Sequence, residues 1–301
     1  MPARPPDPRR PPQPASGADP LPAGLYVVAT PIGNARDITL HALDILGSAS
    51  VIAAEDTRQT RKLLGLHGLR AKLIAYHAHN EAKETPGLVE RVRAGEAIAL
   101  VSDAGTPLIS DPGARLVAAL RAEDLPVFAV PGPSSLTAAL SVAGLPAEEV
   151  HFAGFPPTRG KARAALFARL AGLEASLVLL EAPHRLAGTL ADLAQALGPD
   201  RPAAIARELT KLYEEVLSGP LGTLAARIAE APVKGEIVLV IAPPAKAAPA
   251  GADALDAALG LALSSMSLKE AASHVAARLG LPRRTVYARA LALRDGAEEG
   301  P

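Results

Sequence analysis

Ala97-Ile-Ala-Leu-Val-Ser-Asp-Ala-Gly-Thr-Pro-Leu-Ile-Ser-Asp-Pro-Gly113 decides the fold. A short unbroken apolar run gives way to glycine, proline and small polar residues. That is the pattern of a strand buried on both faces that opens into a loop at its C-terminal end. Within the loop, Asp111-Pro112 predicts an N-cap followed by proline at the first position of the next helix. Similar apolar runs lie on either side: Leu25–Thr30, Val51–Ala54, Lys72–Tyr76 and Val127–Val130, then Val150–Ala153, Ser176–Leu180, Ala203–Arg207, Tyr213–Ser218 and Glu236–Ala242. Helical patterns intervene. Ile38, Ala42, Ile45 and Leu46 share one face, with Asp37 as the predicted N-cap. Strands alternating with helices predict an α/β protein with parallel or mixed sheets covered by helices. The short turn between Ala203–Arg207 and Tyr213–Ser218 predicts a hairpin, and so a mixed second sheet.

The chain has 301 residues, 31 basic and 31 acidic, with 49% hydrophobic content and no cysteine. This excludes wholesale disorder, a disulfide scaffold, a thiolate zinc site and a cysteine nucleophile. No apolar window is long enough for a membrane span, and Met1-Pro-Ala-Arg-Pro-Pro lacks the apolar core of a secretory signal, so a cytoplasmic location is expected. Nine prolines among residues 1–22 predict a disordered tail. Residues 23–146 and 147–243 read as two α/β domains, 244–252 as a Pro/Ala linker, and 253–296 as a helical extension. In that extension Ala254–Leu263, Leu268–Leu279 and Arg283–Leu293 resemble a helix-turn-helix in outline.

Three loops follow predicted strands: Thr30-Pro-Ile-Gly-Asn34, Ser102-Asp-Ala-Gly-Thr-Pro107 running on to Ser110-Asp-Pro-Gly113, and Pro131-Gly-Pro-Ser-Ser135. Open α/β sheets bind ligands at such strand ends. Neither a Walker pattern nor G-x-G-x-x-G is present, so a phosphate-rich ligand lacks its usual cradle. A ligand held by backbone groups and carrying a cation, such as S-adenosylmethionine, suits these loops, with Asp103 facing its charge. His77-Ala-His79-Asn-Glu81 places three potential metal ligands on one side of an expected extended segment, but without a further cluster no metal is expected. No nucleophile elbow is present.

Taken in order, these motifs resemble the bacterial 16S ribosomal RNA (cytidine-2'-O) methyltransferases of the tetrapyrrole-methylase superfamily. The resemblance rests on Leu25–Asn34 with Asp37-Ile-Thr39, Ala54-Glu-Asp-Thr-Arg58, Val101–Gly113, Pro131–Ser135, Phe152-Ala-Gly-Phe-Pro156, Glu181-Ala-Pro-His-Arg185, Ala206–Lys211 and Lys234-Gly-Glu236. It implies the two-domain α/β fold of a class III S-adenosylmethionine-dependent methyltransferase, with a C-terminal helical extension. The donor would lie between the domains, the chain would form a homodimer, and the methyl acceptor would be the ribose 2'-hydroxyl of a cytidine in the decoding region of the small subunit. The implied donor contacts are Pro31, Gly33, Asp103, Ala104, Gly105, Thr106, Ser134, Ser135, Glu181, Ala182, Gly235 and Glu236.

A general base would assist attack by a weakly acidic hydroxyl. The candidates are Asp56 and Glu55, with His184 and Glu208 behind them. For RNA phosphates the candidates are Arg58, Arg61, Lys62, Arg159, Lys161, Arg185, Arg207, Arg283 and Arg284. The neutral total conceals three basic stretches, at 58–72, 159–169 and 264–294, which are expected to converge around the cleft. Two rivals remain open at this point. One is a methyltransferase for a tetrapyrrole or other small molecule, although 3% aromatic content argues against a roomy apolar acceptor pocket. The other is a helix-turn-helix regulator with a ligand-sensing body.

Overall fold

The computed structural model describes residues 21–245 and 252–298, so the expected tail lies almost entirely outside the described residues, as does most of the linker. The first sheet holds β1 (Gly24–Val28), β2 (Val51–Ala54), β3 (Leu73–Ala75), β4 (Ala97–Val101) and β5 (Val127–Val130). Its order is β3-β2-β4-β1-β5 and every pairing is parallel. Alternation sends Tyr26, Val28, Ile52, Ala54 and Ala99 to one face, where α1 (Leu40–Ser48) and α2 (Thr57–Leu66) add Ala42, Leu43, Ile45, Leu46 and Leu64. The opposite face presents Leu25, Val51, Ala53, Ile98 and Leu100 to α3 (Glu81–Arg93) and α4 (Ala114–Ala122). Two covered faces explain why β4 is apolar throughout.

After α5 (Ser135–Val142) comes the second sheet: β6 (Val150–Gly154), β7 (Ser176–Glu181), β8 (Pro202–Arg207), β9 (Glu215–Pro220) and β10 (Ile237–Ile241), in the order β6-β7-β10-β8-β9. Only β6 and β7 are parallel, and β8 and β9 form the antiparallel hairpin. One face buries Leu177, Leu179, Ile205 and Leu239 under α6 (Lys161–Ala171), α7 (Leu186–Leu197) and α8 (Leu221–Glu230). The other face, through Val178, Ala204, Ala206, Val238 and Val240, packs on Ala139 and Ala143 at α5 and on Ile32 after β1. This shared core joins the two sheets into one compact unit ending at Pro244.

A second unit contains α9 (Ala252–Leu263), α10 (Leu268–Leu279) and α11 (Arg283–Glu298) around Leu259, Ala271, Val275, Val286 and Ala290. Ser267 and Glu270 form a capping box on α10, and Gly280 closes that helix with a φ of 63°. Among the described residues no helix is long and apolar enough to cross a membrane.

Four local expectations need correction. Asp37 is not the N-cap of α1: it sits in a 3-10 turn, Ala35–Asp37, and Thr39 caps the helix by accepting from the Ala42 N–H at 3.1 Å. Asp111 is not the N-cap of α4, because that helix starts after Gly113, whose φ of 130° suits glycine. The segment His77–Glu81 is a turn entering α3 rather than an extended strand, closed by Asn80, which accepts from the His77 N–H and donates to the Ala75 carbonyl. Strand β9 begins at Glu215 instead of Tyr213: Glu208 and Thr210 take left-handed backbone, and the Glu214 carboxylate accepts from the Thr210 N–H, prolonging the turn.

Candidate methyl-donor site

The loops after β1 and β4 are tied together first. Thr30 and Gly105 exchange backbone hydrogen bonds of 2.8 and 3.0 Å, and the Thr30 hydroxyl donates to the Ser102 carbonyl. These neighbouring strands lead the chain away on opposite sides of the sheet, which opens a crevice beyond their C-terminal ends. Charged groups then lock the rim. Glu55 Oε2 accepts from the Asp103 N–H at 3.2 Å, and Asp103 Oδ1 accepts from the Asp56 N–H at 2.9 Å. Asp56 caps α2 and pairs with Arg58 Nη2 at 2.7 Å. The hydrogen bond from the Arg58 side chain holds the Asp56 carboxyl down at about 2.

The second sheet supplies the facing wall. Glu208 Oε1 accepts from the Glu236 N–H and from Lys211 Nζ, both at 2.9 Å, and Lys211 also reaches Glu236 Oε2 at 3.0 Å. The Glu236 N–H, with Lys211 second, holds the Glu208 carboxyl below its ordinary range. Two glycines are required here. At Gly235 (φ 97°) a Cβ would sit 2.4 Å from the Glu208 side chain, and at Gly33 it would sit 2.5 Å from Lys211 Cγ. The loops after β1 and β8 are therefore interlocked, and the Asn34 N–H donates to Thr210 Oγ1. Deeper in, Glu181 is buried. Its carboxylate accepts from the Ala182 N–H at 2.8 Å and from Thr189 Oγ1 at 2.5 Å, and Arg185 lies 3.1 Å away.

Between these walls lies a cavity of about 440 Å³. Ile32, Leu180, Leu209 and Val238 give it an apolar body, with Ile109 and Phe155 exposed beside it. Its polar lining is Glu55, Asp103, Ser110, Asp111, Ser135, Glu181 and Glu236. Of the expected donor contacts, Asp103, Ala104, Ser135, Glu181, Ala182, Gly235 and Glu236 line it. Ser134 lines a neighbouring open groove instead. Pro31, Gly33, Gly105 and Thr106 do not line it; Thr106 Oγ1 donates to the Pro133 carbonyl. Of the proposed bases, only Glu55 lines the cavity. Asp56 and Glu208 are committed to cations, and His184 sits exposed in the 3-10 turn Pro183–Arg185.

The sequence reading missed Asp111 as a site residue. Burial, with Glu55 beside it, pushes its carboxyl up to about 6, and Asp103 adds to the shift while a hydrogen bond with Ser102 opposes it. The signal was present in Ser110-Asp-Pro-Gly113, which continues the loop Ser102–Pro107, but Asp111 was read there as a helix cap. Lys211 was a second omission, legible only through its partners Glu208 and Glu236.

The expected RNA contacts divide. Arg61 and Lys62 are exposed on α2, Arg159 and Lys161 at the entry to α6, and Arg283 and Arg284 at the start of α11. Arg58 is exposed beside Asp56. Arg185 and Arg207 are turned inward. Arg185 faces Glu181 and the Pro156 carbonyl, while Arg207 pairs with Glu215 at 3.1 Å and donates to the Lys234 carbonyl. Their guanidinium groups hold the protein together.

Residues 24–225 match the model for Tetrapyrrole (Corrin/Porphyrin) Methylases, and 248–294 match the RsmI C-terminal HTH domain. Ribosomal RNA small subunit methyltransferase I of Mesorhizobium japonicum is 44% identical over 94% of this chain and 96% of its own length. The protein of the same name from Escherichia coli O157:H7 is 41% identical, covering 89% and 94%. Among solved structures, uroporphyrin-III-C-methyltransferase from Thermus thermophilus is 25% identical, with a TM-score of 0.53 over 73% of this chain and 94% of its own. A cobalt precorrin-4 methyltransferase shares the fold at 18% identity and a TM-score of 0.55, over 72% and 94%. The matches span both units and nearly the full length of the curated relatives, and the chain belongs to the ribosomal RNA small subunit methyltransferase I family of the tetrapyrrole methylases.

Proposed function

We propose that the protein transfers a methyl group from S-adenosylmethionine to the ribose 2'-hydroxyl of a cytidine in the decoding region of 16S ribosomal RNA, acting as a cytoplasmic homodimer. The observation that carries the reading is the cavity at the sheet ends, whose apolar body and carboxylate rim suit a donor with an apolar methylene chain and a sulfonium and an ammonium charge. Its volume lies in the ordinary range for small-molecule sites, roughly 300–1,000 Å³. Glu55, Asp103 and Glu236 are available to the cationic groups, and backbone at Ala104, Ala182 and Gly235 to the neutral ones. When bound, the donor supplies a methyl group already activated on a sulfonium sulfur.

The rate then comes largely from holding the hydroxyl in line with that methyl, which is work for the rigid, interlocked walls. Phosphate contacts come from exposed cations: Arg58, Arg61 and Lys62 on α2, Arg159 and Lys161 at α6, and Arg283 and Arg284 on α11. With four Phe, four Tyr and no Trp in the chain, base stacking is a minor grip, so recognition rests on RNA shape and phosphate.

A small-molecule methyltransferase is the second reading, favoured by the folds of the solved neighbours. Against it stands the helical unit, which matches the RsmI C-terminal HTH domain over residues 248–294. Labelled donor offered with naked 16S RNA, assembled 30S particles and a tetrapyrrole separates them. Label in RNA that maps to a ribose supports the proposal, label in the tetrapyrrole reverses it, and label in neither removes both. Sedimentation of the purified protein tests the dimer.

A further inference from the structure

Within the proposed methyl transfer, we propose that Asp111 is the proton acceptor for the attacking ribose hydroxyl. The assignment rests on that functional reading and deepens it.

Glu55 is held by the Asp103 N–H, Asp103 by the Asp56 N–H, and Asp56 by Arg58. Glu208 is held by Lys211 and the Glu236 N–H, and Glu236 by Lys211. Glu181 is buried against Arg185, Thr189 and the Ala182 N–H. Each of these carboxylates is already engaged by a cation or a hydrogen-bond donor of the protein. Asp111 lines the same cavity, with Glu55 and Asp103 close enough to repel its negative charge and the Ser102 hydroxyl to oppose that effect.

Backbone geometry also singles out this residue. Leu108 and Ser110 both take left-handed conformations, at φ 73° and 69°, and Gly113 sits at φ 130°. Non-glycine residues adopt this region at a cost, and two within three positions on a cavity loop mark a backbone held for a purpose. The result carries Asp111 to the wall beside Glu55 and Asp103 instead of letting it cap α4.

The chemistry balances without any further reagent. The hydroxyl proton passes to the Asp111 carboxylate as the ribose oxygen forms its bond to the methyl carbon. The electrons of the carbon–sulfur bond stay on sulfur, which leaves as a neutral thioether, and the Asp111 proton is later released to solvent. A carboxyl that titrates near 6 is ionised at neutral pH yet binds a proton more readily than an ordinary carboxylate, as a general base requires.

The test combines a titration with kinetics. The carboxyl carbon resonance of Asp111, followed against pH in the protein without donor or RNA, is expected to titrate near 6. It should move to lower pH in Glu55→Gln, which removes a neighbouring negative charge. In single-turnover assays at saturating donor, the wild-type rate should fall on the acid side with a midpoint at or below that value, since a nearby sulfonium favours the carboxylate. Asp111→Asn should lose this acid limb and run about 100-fold or more slower at pH 7.5, within the usual reach of general-base catalysis. Asp111→Glu should keep the limb. Donor affinity, measured by calorimetry, should change less than threefold in Asp111→Asn. An Asn variant that retains the wild-type pH profile, or whose rate loss is matched by lost donor affinity, overturns the assignment, as does a titration in the ordinary aspartate range. Label in wild-type samples with either of those outcomes sinks Asp111 alone, whereas no label in wild-type RNA sinks the methyltransferase reading with it.

Discussion

Replacing Arg185 with Met isolates what the buried ion pair under the site contributes. Glu181 has no exposed side-chain surface, and among the described residues Arg185 is the only cation paired with it, with 18% of its side chain exposed. The contact is Coulombic more than a hydrogen bond. Nε lies 3.1 Å from Glu181 Oε1 but is poorly aligned with it, and Nη2 is used by the Pro156 carbonyl at 2.5 Å. Methionine keeps the aliphatic volume and removes the charge. Glu181 would then be a buried anion supported only by Thr189 and the Ala182 N–H. Breaking a buried pair by removing one partner costs about 3–5 kcal/mol, and the imperfect alignment places Arg185→Met near the lower end. For a unit of this size the loss corresponds to a fall in melting temperature of roughly 6–12 °C. Urea unfolding at pH 7.5 measures it directly. The double variant Arg185→Met/Glu181→Gln, which removes both charges, should recover more than half of the loss. Donor affinity should also fall in the single variant, because Glu181, Ala182 and Pro183 line the cavity. A single variant within 1 kcal/mol of wild type, or a double variant no more stable than the single, would refute the claim that Arg185 serves the fold before it serves RNA.

Asp111→Asn carries a prediction about stability apart from its rate. The folded carboxyl titrates at about 6, above its ordinary 3.8, so folding disfavours the ionised form. The penalty accrues as pH rises from about 4 to 6 and stays constant above. The Asn variant should therefore match wild type near pH 4 and exceed it by roughly 1–2 kcal/mol at pH 7.5 in urea unfolding, after allowance for solvent screening of a half-buried group. Gly235→Ala should cost about 2 kcal/mol and at least tenfold in donor affinity by calorimetry, since a Cβ 2.4 Å from Glu208 displaces the carboxylate that orders Glu236. Arg61→Ala/Lys62→Ala on α2 should leave donor affinity unchanged and weaken 30S binding. It should also flatten the slope of log K against log salt by about 2, one for each phosphate contact removed.

Most of the fold was legible because its signals are local. Buried parallel strands read as short apolar runs, and Val51–Ala54 and Val127–Val130 were delimited to the residue. The hairpin of β8 and β9 followed from the few residues separating two runs, and the helical unit followed from the three stretches Ala254–Leu263, Leu268–Leu279 and Arg283–Leu293. The inward turn of Arg185 and Arg207 was not legible. An arginine's sequence neighbours do not reveal whether Glu181 or Glu215 will stand opposite it in the sheet, and a basic residue beside a cleft motif reads the same way whether it points to solvent or to a buried carboxylate.

The failures gather where long-range contacts override local preference. Leu108, Ser110, Glu208 and Thr210 are four of the five non-glycine residues at positive φ among the described residues, and all lie in the two loops that supply the cavity walls. Nothing in Pro-Leu-Ile-Ser-Asp-Pro asks for left-handed backbone. By local rules Asp111-Pro112 is a sound helix start, which is why the residue was read as a cap. It departs from that role because the loop is pinned at one end by Thr30 against Gly105 and pressed at the other by Gly113 under Leu100 and Leu108. Those partners lie up to about eighty residues away in sequence. Pinning the backbone this way places a carboxylate beside two others, an arrangement that costs stability and that the proposed proton transfer would use. The same loop geometry that hid Asp111 from a local reading is thus the physical reason to assign it a catalytic proton.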